Sequence, residues 1–389
     1  MGGYSNPATQ RPLRLGMVGG GRGSLIGGPH RLAARLDGNY TLSAGAFSSN
    51  PEISKASGAD LGIDPARCYG DFSEMARAEA AREDGIEVVS IVTPNHLHAP
   101  AAKAFLAAGI HVICDKPLTA SLEEAIALKQ AVDASGKMFF LTHNYSAYAM
   151  VRQARQMVAT GELGEIRSVQ VEYPSGWMAE AVEKTSNKQA SWRTDPSQAG
   201  AGVIADIGTH AWHLARTVSG LELDELSADL ASLVEGRRVD DHAQVLLRFA
   251  GGARGILWVS GIALGPENGL RIRIFGSLGG LEWSQMDPDA LLHSPLGKPR
   301  QIIQRAAAGT SPYAQRLSRI PAGHPEGYFE AFGNVYRDAA AAIRGGCTSG
   351  LADPVFATVD DGVDGMQFIE ACLASSASNA AWINFNSKR

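Results

Sequence analysis

Three features of the sequence predict an α/β chain of two domains: a doubly wound parallel sheet, then an α+β domain with a large, mainly antiparallel open sheet. From Leu13 to about Tyr145, short β-rich runs alternate with stretches of helical periodicity. Beyond that point the strand runs come in pairs around glycine-bearing turns. At 389 residues the chain also exceeds the usual size of one domain. The break is expected after Tyr145, giving domains 1–145 and 146–389.

In the first part, "LRLGMVG", "YTLSAGAFS", "IEVVSIVTP", "IHVICDKP" and "KMFFLTHN" read as strands. Between them "HAPAAKAFLAAG" and "SLEEAIALKQAVDASG" have helical spacing. Two-sided apolar strands separated by helices imply a parallel sheet covered on both faces. In the second part, "MVRQARQMVATGELG" reads as a helix ending at Gly161 or Gly164, and "EIRSVQVEY" as a strand. "HAQVLLRFAGGARGILWVSG" and "LRIRIFGSLGGLEWSQ" read as antiparallel hairpins. Residues 287–325, rich in Pro, Gly and Ser, are expected to form a long loop with at most one short strand. Helices near 326–344 and 355–377 close the pattern. Ligands of such a plan are expected at the carboxyl ends of the parallel strands, in the cleft between domains.

Composition excludes several classes. Thirty-five basic against 40 acidic residues give a net charge of −5 with no basic block, which argues against nucleic acid or an anionic membrane as partner. No apolar run reaches membrane-spanning length, and "MGGYSNPATQRP" lacks the apolar centre of a signal peptide. Cys68, Cys114, Cys347 and Cys372 are spaced neither as a disulfide framework nor as a metal clip, so a reduced, cytoplasmic setting is expected.

"VGGGRGSLIGGPHR" follows the first strand directly. Gly19 and Gly21 stand at the first two glycines of a dinucleotide (Rossmann) fingerprint, where the backbone turns tightly and approaches a pyrophosphate. Arg22 lies between them and Ser24, which occupies the strict third position; Gly27 or Gly28 serves instead if the loop carries a short insertion. Strand two ends in Ser48 and Ser49, where NAD-binding sheets usually place an acid on the ribose hydroxyls. Serine does not repel a 2′-phosphate, yet no arginine follows to bind one. Both NAD and NADP therefore stay open on these residues alone.

"VTPNHLH" brings Thr93, Pro94, Asn95, His96 and His98 to the end of the next strand, and "CDKPLT" brings Asp115, Lys116 and Pro117 to the one after it. Further on, "GVIADIGTHAWHLAR" holds Asp206, His210 and His213 in an apolar stretch. Four residues of a helix turn through about 400°, so Asp206 and His210 are expected on one face. They read as metal ligands, as a buried structural pair or as acid–base machinery. No His-Glu-x-x-His is present and the cysteines lack ligand spacing, so a metal is not expected.

In this order, the glycine loop, "VTPNHLH", "CDKPLT" and "ADIGTH" resemble the glucose–fructose oxidoreductase/myo-inositol dehydrogenase/MocA (Gfo/Idh/MocA) family over nearly the whole chain. The resemblance implies a nicotinamide-linked dehydrogenase of a sugar, sugar derivative or cyclic polyol, and an open sheet that supports homodimers or homotetramers. The family's Glu-Lys-Pro stands here as Asp115-Lys116-Pro117, which maps its lysine onto Lys116. Its Asp-x-x-x-His maps onto Asp206 and His210. NADP-preferring relatives often carry a basic residue where Ile53 stands, so the resemblance tilts the cofactor towards NAD.

Oxidising a secondary alcohol needs a base for the hydroxyl proton, and imidazole titrates in the useful range. His210 is assigned that role, with Asp206 orienting the substrate and Lys116 donating to the reacting oxygen. Gly19, Gly21, Arg22, Ser24, Ser48, Ser49, Thr93, Pro94, Asn95, His98, Asp115, Lys116 and Pro117 form the expected cofactor site; His98 has helix packing as its rival role. His143, Asn144 and Tyr145 are expected at the cleft edge, binding hydroxyls or serving as a hinge. Trp192 and Arg193 are expected to wall the pocket, with Tyr173 and His324 nearby. Two rival functions share these residues: a glycosidase that oxidises its substrate transiently with tightly held NAD, and a non-catalytic dinucleotide sensor. The joint presence of Lys116, Asp206 and His210 argues against the sensor.

Overall fold

The structure is a computed structural model that describes residues 11–185, 193–345 and 356–385. Its described residues fall into two units: those within 1–144 and 328–364 form one, and those within 145–327 and 365–389 the other. This division departs from the consecutive domains 1–145 and 146–389.

The first unit is built on β1 (Leu13–Gly19), β2 (Tyr40–Ala46), β3 (Val88–Val92), β4 (His111–Cys114) and β5 (Phe139–Leu141). All pair in parallel, in the order β2-β1-β3-β4-β5. Helices α1 (Gly27–Leu36), α2 (Pro51–Asp60), α3 (Phe72–Ala80), α4 (His98–Ala107) and α5 (Leu122–Ser135) connect them. Local chemistry sets the helix ends: the side chains of Asn50, Asp71 and Ser121 accept from first-turn amides of α2, α3 and α5, and Gly136 closes α5 at φ 63°. Every residue of β3 is buried, as expected for a strand covered on both faces. The chain leaves β1 toward one edge and β3 toward the other. The ends of β1 and β3 therefore frame a switch point, where such sheets bind ligands.

A helix from the far end of the sequence completes this unit. In Tyr328–Ile343, Phe332, Tyr336, Ala339 and Ala340 join the core of Leu13, Leu15 and Val88. Tyr336 Oη lies 2.9 Å from His30 Nδ1, the Tyr40 hydroxyl donates to the Tyr336 carbonyl at 2.8 Å, and Arg337 pairs with Asp37 at 2.9 Å. Removing this helix would expose the β1–β2 side of the core, which is why a purely N-terminal domain is not the compact unit.

The second unit contains α6 (Ala149–Ala159), β6 (Ile166–Pro174), α7 (Thr209–Ser219) and β7–β14. Here β7 is Leu223–Ala231, β8 His242–Phe249, β9 Arg254–Ser260, β10 Arg271–Gly276, β11 Gly279–Ser284, β12 Asp287–Pro295, β13 Gln301–Gln304 and β14 Ile383–Asn384. They form one nine-stranded sheet, β13-β12-β11-β10-β6-β9-β8-β7-β14, antiparallel except for the β6–β9 pair. Alternation is clean: Val169, Val171, Val245, Leu247, Leu257 and Ile272 are buried, while Leu246 and Ile256 on the opposite face are 49% and 47% exposed. The expected hairpins are β8–β9 and β10–β11. The expected long loop at 287–325 is corrected: it holds β12, β13 and a short helix, Pro312–Gln315. β12 extends the sheet because β11 offers a free edge, a tertiary cause that local composition does not carry. Arg305, held by Asp289 at 2.8 Å and Glu326 at 3.1 Å, ties the remainder down.

Candidate functional site

In the first unit the glycine loop is made of close approaches. Gly19 and Gly20 have φ of +79° and +74°, and a Cβ on Gly19 would lie 2.8 Å from the Val92 carbonyl oxygen. A Cβ on Gly21 would lie 2.8 Å from the Phe47 carbonyl oxygen. Gly27 opens α1 against the loop, with a Cβ position only 2.4 Å from the Gly20 carbonyl oxygen, whereas one on Gly28 would meet nothing within 4 Å. Gly27 is thus the third glycine, and Ser24 is a turn residue whose Oγ accepts the Gly27 N–H at 3.3 Å. Bare backbone at the mouth of a ten-residue helix fits a pyrophosphate.

Around this loop, Ser48 Oγ accepts the Asn50 N–H at 3.1 Å and Ser49 is exposed. Arg22 forms two hydrogen bonds to the Asp60 carboxylate, at 2.6 and 2.7 Å. At the end of β3, Thr93 Oγ1 is buried with no partner among the described residues, a polar atom well placed for a bound group. Pro94 is half-buried, Asn95 is buried and His96 is exposed.

His98 bridges two loops: its ring nitrogens lie 2.9 Å from the Thr93 carbonyl and 2.8 Å from the Pro117 carbonyl. Burial lowers its pKa, while Asp115 and the two carbonyls, which both call for an N–H donor, pull the other way; the ring ties the β3 and β4 ends together. Asp115 turns inward. Its Oδ1 accepts from the Lys116 N–H at 2.9 Å and the Thr142 hydroxyl at 2.8 Å, with His30 Nε2 at 3.9 Å. Burial raises its pKa, but His30, Lys116 and Thr142 outweigh that, and the net shift is downward. A fixed carboxylate therefore folds the loop that carries Lys116, which is half-buried and followed by a cis peptide to Pro117. His143 and Asn144, both buried, close the end of β5.

The second unit builds a separate cluster. The segment carrying Asp206 starts at Gly202, whose Cβ position would fall 1.8 Å from the Asp240 carbonyl oxygen. The Asp240 carboxylate accepts from Gly202 N–H at 2.6 Å and Ile204 N–H at 2.8 Å. From this anchor the chain does not enter a regular α-helix, as the spacing predicts; Ile204–Gly208 is a π-helix that runs into α7. A wider turn thus stands where a regular α-turn is expected between Asp206 and His210. Such π-segments concentrate at functional sites.

His210 is buried with its ring edge-on to Tyr145, centroids 4.7 Å apart, and 6.4 Å from Tyr173. The Tyr145 and Tyr173 hydroxyls are 2.6 Å apart, and Asn268 Nδ2 donates to Tyr145 at 3.3 Å and to Gln285 at 3.1 Å. Burial pushes both phenol pKa values up, and the Asp206 charge adds to it. Both tyrosines are therefore neutral hydroxyls across the working pH range. Arg193 Nε lies 3.6 Å from the Asp206 carboxylate. Asp206, His210, Tyr145, Tyr173 and Arg193 thus come together.

His324 does not join them: its side chain is exposed, and its carbonyl accepts from Arg305. Trp192 lies outside the described residues. His213 is buried 3.3 Å from the Thr217 hydroxyl, and burial, with nearby arginines, lowers its pKa to about 3. Among the described residues no group of three His, Cys, Asp or Glu side chains is arranged to hold a metal.

Sequence reasoning missed Asn268, Asp240, His30 and Tyr336. The first two sit in loops without a motif, although the glycine at 202 hinted at a close approach. His30 stood in the quoted "GGPHR", but its partners lie 60 to 306 residues away.

A glycine cradle at the switch point of a parallel sheet, followed by a polar cluster on a mixed sheet, defines a dinucleotide-binding oxidoreductase. Residues 13–143 match the family described as oxidoreductases with an NAD-binding Rossmann fold, and residues 151–282 match the GFO/IDH/MocA C-terminal domain. The chain belongs to the Gfo/Idh/MocA family of oxidoreductases. It is 52% identical to an oxidoreductase from Sinorhizobium meliloti, covering 96% of this chain and 100% of that one, with a TM-score of 0.87. An inositol dehydrogenase homologue from Azotobacter vinelandii, complexed with NADH and myo-inositol, is 37% identical over 96% of this chain and 98% of that one, with a TM-score of 0.89. Levoglucosan dehydrogenase from Pseudarthrobacter phenanthrenivorans is 29% identical over 96% of this chain and 98% of its own length. No helix among the described residues is long and apolar enough to cross a membrane.

Proposed function

We propose that this oxidoreductase is an NAD-linked dehydrogenase that oxidises a secondary hydroxyl of a cyclic polyol or sugar. The observation that carries the reading is the buried His210 imidazole set among the Tyr145 and Tyr173 hydroxyls beside Asp206 and Arg193. A ring of alternating donors and acceptors around one base suits a substrate that presents several hydroxyls. The myo-inositol and levoglucosan named for two relatives are of that chemistry.

A nicotinamide held by the glycine loop would supply the hydride acceptor. His210 takes the hydroxyl proton, and Asp206 holds the substrate and favours positive charge on the imidazole. Lys116 is read, as the family resemblance implies, as a donor to the reacting oxygen; Asp115 holds its backbone N–H. Tyr145 and Tyr173, neutral and tied to Asn268, orient neighbouring hydroxyls. His143 and Asn144, at the end of β5, are read as further substrate contacts. The exposed face bearing Leu246 and Ile256 is proposed to pair with a second copy, giving a homodimer or homotetramer.

A panel of inositols, monosaccharides, glycosides and anhydrosugars, tested with NAD and NADP at 340 nm, decides the question. Net NADH formation with a polyol or sugar is expected. Glycoside cleavage without net NADH, or nucleotide binding with no turnover on any member, would overturn the reading.

A further inference from the structure

The end of β2 carries no charge to read the adenosine ribose: Ser48 and Ser49 stand there, and Ser48 is spent on the Asn50 amide. A guanidinium stands close by on the glycine loop, that of Arg22. Gly21 N–H donates to the Phe47 carbonyl at 3.3 Å, and Arg22 N–H to Ser57 Oγ at 3.0 Å. These bonds pin Arg22 between the end of β2 and α2, where dinucleotide-binding sheets place the ribose 2′ position.

Its side chain is engaged elsewhere. Nε and Nη2 of Arg22 bind both oxygens of Asp60, the last residue of α2, and the two side chains are 58% and 51% exposed. An acid at a helix C-terminus opposes the helix dipole, and α2 has no basic residue in its last turn to offset it. Asp60 is therefore poorly placed for helix stability and well placed to occupy Arg22. A guanidinium fork that binds a carboxylate in this manner binds a phosphate equally well.

We propose that the Arg22–Asp60 pair selects the nucleotide: Asp60 occupies the guanidinium that would otherwise bind a 2′-phosphate, so NADP is disfavoured although nothing at the end of β2 repels it. Because the pair is solvent-exposed, the barrier is a matter of a few-fold in affinity and one substitution lifts it. The inference concerns the nucleotide alone and holds whatever the substrate.

Calorimetric titration of the full chain with NAD and NADP tests it, using Asp60→Asn, Arg22→Ala, the double variant and Glu52→Gln. Asp60→Asn is expected to raise the NADP-to-NAD affinity ratio about fivefold, the scale of one exposed ion pair. In the Arg22→Ala background the same substitution is expected to change the ratio by less than about twofold, because the fork is gone. Glu52→Gln removes an exposed carboxylate of the same helix that makes no bond to Arg22, and should leave the ratio unchanged. Asp60→Ser repeats the measurement if Asp60→Asn melts early. An unchanged ratio in both Asp60 variants overturns the proposal. So does an equal rise without Arg22 or in Glu52→Gln, since the effect would then be bulk charge.

Discussion

Substituting Gly27 by alanine tests whether the nucleotide loop is held by direct backbone contact. The new Cβ would stand 2.4 Å from the Gly20 carbonyl oxygen and 2.5 Å from Gly20 Cα, where ordinary contact begins at 3.4 Å. Both obstacles are backbone, so no rotamer change relieves the clash, and the loop must open by about 1 Å. Overpacking of this kind costs about 1–3 kcal/mol. For a unit of this size it lowers the melting temperature by about 2–4 °C per kcal/mol. Because Gly20 lies in the cradle itself, NAD affinity should fall at least about tenfold, or 1.4 kcal/mol. Gly28→Ala is the control: its Cβ meets nothing within 4 Å, and helix propensity favours alanine by up to about 1 kcal/mol. Thermal melting and calorimetric titration with NAD read both variants. Wild-type binding and melting in Gly27→Ala, or equal damage in Gly28→Ala, would refute the reasoning.

His210→Asn should lower turnover by roughly 10²–10⁴-fold with NAD affinity and melting temperature nearly unchanged; a stable variant with near-normal turnover rules out the base assignment. Lys116→Met should depress turnover strongly and Asp206→Asn more mildly, both read from initial rates; no effect from Lys116→Met would remove the lysine from the chemistry. His213 has an ordinary value of 6.5 and a folded value of about 3, so between those pH values the unfolded chain binds more protons and stability falls as pH drops. By pH 5 this one group has withdrawn about 2 kcal/mol relative to neutral pH. His213→Gln should flatten the pH 7-to-5 loss in urea melts, and an equal loss in the variant would contradict the assignment. Light scattering should report a dimer or tetramer, and Leu246→Lys with Ile256→Glu should reduce it to the 41.0 kDa chain; a wild-type monomer would remove the open face from the assembly argument.

Much of the site was legible because its parts are local. Gly19 and Gly21 follow a strand, and Asp115-Lys116-Pro117 ends one, so spacing alone puts them at the carboxyl edge of the sheet. Tyr173 and His210 were both named from sequence, but not that they share a cluster with Tyr145. His98 was left between a ligand role and a packing role, and the two carbonyls it bridges favour the second. Asp206 and His210 were found by their spacing, while the π-turn between them was not. It depends on the amides held by Asp240, some 34 residues further along the chain from Asp206.

The sequence by itself determined the five strands of the parallel first sheet, the two hairpins of the second, the glycine cradle and the candidate residue types for the chemistry. Those follow from periodicity and from contacts between near neighbours, which a linear pattern records. Tertiary structure alone decided that Gly27 rather than Gly28 is the third glycine, and that a helix from beyond residue 327 completes the first unit. It alone drew β12 and β13 out of an apparent loop and paired Arg22 with Asp60. Each of these is a contact between segments distant in the chain. Such contacts are chosen by which surfaces are left to bury and which charges remain within reach once the sheets have formed.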